Sequence, residues 1–425
     1  MKITYYVNTM VLLEGQNTRL LCDPWITFDY PSGNGWYNFP QSHMSRDDVA
    51  AIRPDYIYIT HTHYDHFDPE TLSLFERSTP ILIAHYEANF TEREIRNVGF
   101  TDIRVSEPGK RLPLNGSDSC WIEPSEVYKD VDSVGLICID GEKVINFNDN
   151  PFHEGQVTRL QAIAGEIDVA MIPFGAHGPY PMFFRNLSDE DKQQASDRRR
   201  QHSYQNFSDY IKALKPKQVL PFGSGLVAGS DKALCYSYSG IGTRTDAVKN
   251  AKQSGLKFRE ILLSEKCSYD TQTREQNGVY VEKTHTSEKD YLLQIAHLPT
   301  QFDQGGKFHI DDSERIDLTA LFAAAVARQI KWKKRLHYNT GSSYFFDLGE
   351  PGLYRVCLKD GTVNRVTRSA INDDVYEIFF LPYSLAVGLL TRHYIWSNIK
   401  TQYVDYFRQG EMDIEMLMLM NYLHV

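Results

Sequence analysis

Short apolar runs alternate with polar, helix-compatible stretches over roughly the first 280 residues. Strand-like runs extend from Lys2 to Leu13, Thr18 to Cys22 and Arg53 to Ile59, and again at Lys143 to Phe147 and Asp168 to Phe174. Runs of β-branched and aromatic residues, separated by stretches of helical periodicity, are typical of alternating strands and helices. The pattern therefore predicts a layered α/β domain.

The pattern changes from about Glu282 onward. A helical periodicity covers Leu318 to Trp332, and three strand-like runs follow it, at Ser343 to Asp347, Leu353 to Leu358 and Val375 to Leu381. Because the strands now cluster instead of alternating with helices, this part predicts a smaller α+β domain. We place the two domains at 1–281 and 282–425.

The polar segment that follows the Arg53–Ile59 strand concentrates side chains that bind metals. Three imidazoles and one carboxylate occur within six residues, at His61, His63, Asp65 and His66. Asp68 and Pro69 then have the signature of a helix start, so the cluster lies in a strand-to-helix loop. Borderline divalent metals prefer such nitrogen and oxygen ligands. The spacing predicts that the first two histidines bind one metal and that the Asp65–His66 pair faces a second.

Composition excludes several classes of partner. The formal charge is −10 and no long basic run occurs, which argues against a nucleic-acid partner. No stretch of about 18 apolar residues occurs, and the first apolar run is too short for a signal peptide, so we expect a cytoplasmic protein with no membrane partner. The six cysteines are scattered, without a Cys-x-x-Cys pair, which argues against an iron–sulfur site within this chain.

The His-x-His-x-Asp-His motif after an apolar strand resembles the metallo-β-lactamase superfamily. The Asp-Pro-Trp sequence at Asp23 is similar to that superfamily as well. The resemblance implies an αββα sandwich with a two-metal site on one edge, in which Asp149 bridges both metals and Asp149 and Asp65 are catalytic. It also implies that the C-terminal domain is similar to the sterol-carrier-like domains that some members carry.

Two histidines that the superfamily usually supplies are missing from their places. No histidine lies between His85 and His153, so the resemblance leaves Glu126 as the third ligand of the first metal, with Glu123 and Tyr128 as alternatives. Gly223 stands where the last histidine is expected, and His177 is the candidate that replaces it. A carboxylate is a harder ligand than an imidazole, in the sense of hard and soft acids and bases. Exchanging imidazole for carboxylate therefore favours iron or manganese over zinc.

A closer resemblance extends over most of the chain. The Asp-Pro-Trp loop with Gly35 and Trp36, the segment from His177 to Tyr180, and the sequence around Gly223 resemble the catalytic region of the CMP-N-acetylneuraminate hydroxylases. The ligand set also resembles the diiron β-hydroxylase of the chloramphenicol pathway. These resemblances imply an oxygenase that uses two irons and O₂ on a small polar substrate, with Trp36 and Tyr180 in the substrate pocket.

Electrons would then come from an external donor such as a ferredoxin or a reductase. The alternative reading is a dinuclear zinc or manganese hydrolase that cleaves an ester, a lactone or a phosphodiester. The missing histidines favour the oxygenase, because hydrolases of this fold usually keep those imidazoles.

Overall fold

A computed structural model describes residues 1–28, 35–175, 177–298 and 316–425. The strands β1–β22 are, in chain order, Lys2–Val7, Met10–Glu14, Arg19–Cys22, Trp36–Asn38, Tyr56–Tyr58, Ile81–Ala84, Ile103–Ser106, Leu112–Pro113, Ser119–Pro124, Ser133–Ile139, Glu142–Asn146, Val169–Pro173, Gln218–Phe222, Leu226–Ala228, Arg259–Glu260, Ser268–Asp270, Gln276–Asn277, Ser343–Asp347, Leu353–Cys357, Thr362–Val366, Tyr376–Phe380 and Asp405–Gln409. The helices α1–α11 are Arg46–Ala50, Pro69–Leu72, Phe90–Val98, Glu154–Ala164, Asp189–Leu214, Arg244–Gln253, His285–Ile295, Leu318–Arg335, Tyr383–Leu390, Trp396–Ile399 and Ile414–Leu419. Short 3₁₀ helices occur at Ser230–Tyr238, Arg368–Ala370 and Met420–Tyr422.

The chain divides into two compact units. The first comprises 1–177, 195–227 and 240–295, and the second comprises 178–194, 228–239 and 296–425. The division is therefore not a single cut near residue 281, because two inserted segments belong to the second unit. One of them is held by the backbone there: Arg185 N–H donates to Tyr406 O at 2.8 Å. Sequence pattern gives no sign of a pairing between residues so far apart in the chain.

The first unit contains two large mixed sheets. One has the order β17-β16-β1-β2-β3-β5-β6-β7, and the other has the order β15-β13-β12-β11-β10-β9-β8. Strands β3, β5, β6 and β7 run parallel, as do β11, β12, β13 and β15. Parallel strands end at the same edge of their sheet, so the loops that follow them are gathered there.

Three hydrophobic cores place these sheets in layers. The central core mixes inward residues of both sheets, such as Val11 and Leu13 of the first sheet with Val144 and Met171 of the second. A second core joins the outer face of the β10–β13 region to α4, α5 and α6. A third joins the opposite outer face to α1, α2 and α3. This order of helix, sheet, sheet and helix confirms the predicted αββα sandwich.

The second unit is built around a five-stranded sheet with the order β20-β19-β18-β21-β22. Helix α8 contributes Phe322 to it, whose ring stacks on Tyr354 with centroids 4.9 Å apart. The predicted α+β character of this region is confirmed, whereas its similarity to sterol-carrier-like domains remains a prediction. Within the described ranges, none of the helices has the length and apolar content needed to cross a bilayer.

Candidate metal centre

Four loops that follow parallel strands carry the candidate residues. The histidine-rich segment follows β5, Asp149 follows β11, the segment with His177 follows β12, and Gly223 follows β13. The predicted helix start is also present, because Asp68 caps α2 by accepting from Thr71 N–H at 2.9 Å. Ligands in open α/β sheets collect at such carboxyl ends of strands, since rigid elements hold the loop residues in place.

The histidine-rich loop turns its imidazoles toward one another. His61 Nε2 lies 2.7 Å from His63 Nδ1, and His66 Nε2 lies 3.2 Å from Asp65 Oδ2. His61, Asp65 and His66 are buried, while His63 is partly exposed. Two neutral imidazole nitrogens this close to each other need a proton or a cation between them, which is the geometry of a prepared ligand pair.

Asp149 joins both halves of the cluster. Its Oδ2 lies 3.2 Å from His66 Nε2, and its side chain is 26% exposed. Two groups of donor atoms close enough to hold an ion occur in the described part of the chain: His61, His63 and Asp149 form one, and Asp65, His66 and Asp149 form the other. The shared carboxylate and the nitrogen and oxygen donors fit a pair of metal ions.

A second layer of carboxylates orients the imidazoles. His66 Nδ1 lies 2.8 Å from Asp23 Oδ2, and Thr60 N–H donates to Asp23 Oδ1 at 2.8 Å. His61 Nδ1 lies 3.3 Å from Asp132 Oδ1. A carboxylate next to Nδ1 keeps the proton on that nitrogen, so Nε2 presents its lone pair to a metal. In the sequence, Asp23 was recognisable only as part of the Asp-Pro-Trp motif, and no motif indicated Asp132.

The turn at Asn8 and Thr9 also supports the cluster. Asn8 Nδ2 donates to Asp65 Oδ2 at 3.2 Å, and Thr9 Oγ1 lies 3.2 Å from His66 Nδ1. The single strand predicted from Lys2 to Leu13 is wrong here, because β1 and β2 are separated at these two residues and Asn8 has a φ of 50°. Asparagine tolerates this left-handed conformation better than most residues. Asn8 was therefore the residue in the sequence that could have indicated a turn.

The electrostatics of the cluster favour cations. Burial lowers the pKa of His66, but the charges of Asp65, Asp149 and Asp23 outweigh burial and raise that pKa well above its usual value. Burial raises the pKa of Asp149, but His66 and His61 lower it well below the usual carboxyl range. Asp149 is therefore held ionised, and positive charge is stabilised on His66 where the donor atoms converge.

His177 and Tyr128 border the cluster. Burial lowers the pKa of His177 to about 4, although the charges of Asp149 and Asp65 oppose this shift, so the ring is near both carboxylates. Burial raises the pKa of Tyr128 to about 12, and the charges of Asp149 and Asp132 add to that shift. Neither side chain belongs to the two donor groups found in the described residues. A ligand role for His177 remains a prediction.

Residues 2–223 match the beta-lactamase superfamily domain. The chain belongs to this superfamily. The match spans the β5 motif, Asp149 and the end of β13, so it covers the whole candidate centre. It also agrees with the αββα layering described above.

The relatives that match this chain in sequence are named as different kinds of protein. A protein of Mycolicibacterium smegmatis named as a Rieske 2Fe-2S iron-sulfur protein is 26% identical over 230 residues, which are 52% of this chain and 43% of that protein. The cytidine monophosphate-N-acetylneuraminic acid hydroxylase of Mus musculus is 26% identical over 248 residues, covering 54% of this chain and 40% of the hydroxylase. A UPF0173 metal-dependent hydrolase of Pyrobaculum neutrophilum is 25% identical over 182 residues, covering 41% of this chain and 72% of the hydrolase.

These matches span less than half the length of the Rieske-named and hydroxylase relatives. Among solved structures, the diiron β-hydroxylase CmlA from Streptomyces venezuelae has a TM-score of 0.43 at 16% identity, covering 61% of this chain and 52% of that one. The resemblance to the CMP-N-acetylneuraminate hydroxylases is thus confirmed as relatedness in sequence. Hydrolases and hydroxylases both occur among the relatives, so relatedness alone does not choose between them.

Gly223 occupies the position at which the superfamily's last histidine is expected. A Cβ atom built there would lie 3.5 Å from Asp149 Oδ1, so this residue faces the centre directly. Its φ of +73° is a conformation that favours glycine. The residue that follows β13 beside the centre is therefore a glycine and adds no imidazole to it.

Glu126 lies outside the two donor groups found in the described residues. Its carboxylate accepts from Arg159 Nη2 at 2.8 Å, and its side chain is 38% exposed. Glu123, the alternative, also pairs with Arg159 and accepts from Gln156 Nε2 at 3.0 Å. Because Arg159 on α4 pairs with both acids, these contacts do not support Glu126 as a ligand, and its ligand role remains a prediction.

We expect Glu126→Gln to keep its full complement of metal. The change removes one exposed ion pair, which contributes at most about 1 kcal/mol to stability, and it touches none of the donor atoms of the centre. Metal content per chain, measured by plasma mass spectrometry after loading and desalting, checks this expectation. A loss of metal in Glu126→Gln, with unchanged circular dichroism, would restore Glu126 as a ligand.

The two residues predicted to bind substrate lie in different environments. Trp36 is 3% exposed in β4, so its indole is part of the interior. Tyr180 belongs to the second unit, where its ring packs edge-on against Phe184 and beneath the guanidinium of Arg408. Substrate contact by either residue remains a prediction.

Proposed function

We propose that this chain is a dinuclear iron oxygenase that hydroxylates or otherwise oxidises a small polar substrate with O₂. The observation that carries the proposal is the set of donor atoms, which comes from three imidazoles and two carboxylates. Gly223, which faces Asp149 at the end of β13, adds no imidazole to this set. A site with this few imidazoles is harder than the usual zinc site of the fold, which suits iron. Two bound irons would supply the electrons and the Lewis acidity that reduction of O₂ requires.

The protein's own residues have distinct tasks in this proposal. Asp149 would hold both ions, and Asp65 would hold the second ion together with His66. Asp23 and Asp132 fix the tautomers of the imidazoles that they contact. Because Gly223 has no side chain, the space beside Asp149 would be left for a small substrate.

A polar, negatively charged group on the substrate would suit the border of the centre. The charges of Lys283 and Arg199 both lower the pKa of His177, so two cations act on the same ring. Lys283 Nζ donates to Ser224 O at 2.8 Å, directly beside Gly223. These cations would orient an anionic group without occupying the metal positions.

The electron source in this proposal is a separate ferredoxin or reductase. All six cysteines are free, and none belongs to a metal-binding group in the described ranges. Relatives named as Rieske iron-sulfur proteins support an electron-transfer partner of that chemistry.

A hydrolase is the second candidate. The relatives named as metal-dependent hydrolases, matched over 72% of their length, favour it. In that case the two ions would activate water against an ester, a lactone or a phosphodiester.

Metal analysis combined with turnover separates the two functions. The protein is produced in iron-supplemented cells and, in parallel, loaded with zinc after metal removal. The oxygenase proposal predicts two irons per chain, and O₂ consumption that starts when a reductant is added to the iron form but not to the zinc form. Stoichiometric zinc in the purified protein, with hydrolysis of lactone or phosphodiester substrates and no O₂ consumption, would establish the hydrolase instead.

A further inference from the structure

A second pocket lies in the second unit, beside Phe380 at the end of β21. Its volume is about 600 Å³, which is within the usual range for small-molecule sites. Six separate stretches of the chain line it, and they include Arg185, Lys232 and Gln402. None of the residues that line this Phe380 pocket belongs to the candidate metal centre.

Two guanidiniums flank the aromatic ring of the pocket. The guanidinium carbons of Arg185 and Arg368 lie 4.2 Å and 5.2 Å from the Phe380 ring centroid. Arg185 donates to Asp405 Oδ2 from Nε at 2.9 Å and from Nη2 at 2.6 Å, and Arg368 donates to Asp347 Oδ2 at 2.7 Å. A guanidinium has about five N–H groups. Most donors of both arginines are therefore unused by the described residues, while stacking and one carboxylate fix each group in place.

A buried glutamine forms part of the pocket wall. Gln402 is 3% exposed, and its Nε2 donates to Gly229 O at 2.7 Å. Its Oε1 is buried and accepts no hydrogen bond from the described residues. Asp231, two residues after Gly229, lines the same pocket.

The formal charges of the pocket wall cancel. Its three cations are Arg185, Lys232 and Arg368, and its three anions are Asp231, Asp347 and Asp405. Asp405 is shared between Arg185 and Lys232. A ligand with a large net charge would leave this wall unbalanced, whereas a ligand that carries one charge of each sign matches it.

We propose that the Phe380 pocket binds a small zwitterion of the amino-acid or dipeptide class. The carboxylate of the ligand accepts from the unused N–H groups of Arg185 and Arg368. Its ammonium faces the carboxylate of Asp231, which lines the pocket. This site is separate from the metal centre and does not depend on the function proposed for that centre.

A binding screen on the full chain tests the chemistry of the ligand. The probes are the twenty free L-amino acids and the twenty glycyl dipeptides, each added to the protein in a thermal-shift assay and confirmed by calorimetry. We expect at least one probe to bind, and its N-acetyl and C-terminal amide derivatives to bind about tenfold more weakly or worse, since each lacks one charge. Failure of all forty probes, or equally tight binding of inorganic phosphate, would overturn the proposal.

Paired variants test the location of the site. Arg368→Gln removes a guanidinium that is 61% exposed, so we expect a folded protein whose affinity for the best probe falls about tenfold or more. Arg365→Gln is the matched control, because Arg365 is exposed and does not line the pocket. Equal affinities in Arg368→Gln, Arg365→Gln and the unmodified protein would place the probe elsewhere and overturn the assignment.

Discussion

Asp149→Ala should lose both metal ions together. This carboxylate is the one residue common to both donor groups in the described chain, and its charge offsets that of the two cations. Without it each ion keeps only two protein ligands, so we expect metal content per chain to fall from two to near zero after desalting. Any metal-dependent turnover should fall at least about a hundredfold, since ligand loss commonly has larger effects than loss of an outer partner.

Asp246→Ala is the matched control for this prediction. Asp246 is exposed in the first turn of α6, and its side chain makes no hydrogen bond to the described residues. We expect Asp246→Ala to retain two ions. If Asp149→Ala retained one tightly bound ion, the bridging role would be wrong, and a mononuclear site at one of the two groups would replace it.

Asp23→Asn should weaken the ion held by Asp65 and His66. The buried carboxylate of Asp23 keeps the proton on His66 Nδ1, 2.8 Å away, and also accepts from Thr60. An amide in this place can present its NH₂ group to that nitrogen, which favours the wrong tautomer. The expected loss is about 10- to 100-fold in affinity for this ion, measured by competition with a chelator of known affinity.

A double-variant comparison identifies which ion is affected. Adding Asp23→Asn to His66→Ala should cause no further loss of metal, because both changes act on the same ligand. Adding it to His63→Ala should cause a further loss, because the two changes act on different ions. Unchanged chelator competition in Asp23→Asn, with the fold intact by circular dichroism, would show that this carboxylate does not control the ligand.

The local parts of the centre were predictable from the sequence. The strand before His61, the cap at Asp68 and the four-ligand motif depend on neighbours within about ten positions, which periodicity and capping preferences describe well. The two-metal arrangement with Asp149 was implied by a family resemblance, and the geometry is in agreement with it. The alternation of strands and helices predicted a layered α/β domain, and the αββα order was implied by the family resemblance.

The long-range parts were not predictable. Glu126 is a carboxylate in the right interval, but its partner Arg159 lies 33 positions away on α4, and no local pattern shows that pairing. The support from Asp132 to His61 and from Asn8 to Asp65 likewise depends on loops that meet only in the folded protein. The same limit applies to segment 178–194, whose place in the second unit depends on a pairing with β22.

The most direct test of the account is a count of metal ions together with their magnetic coupling. Protein from iron-supplemented cells should contain two irons per chain, and its Mössbauer and low-temperature magnetic data should show two high-spin ions coupled through a shared ligand. One iron per chain, or two that are magnetically independent, would contradict the claim that Asp149 joins a pair of ions.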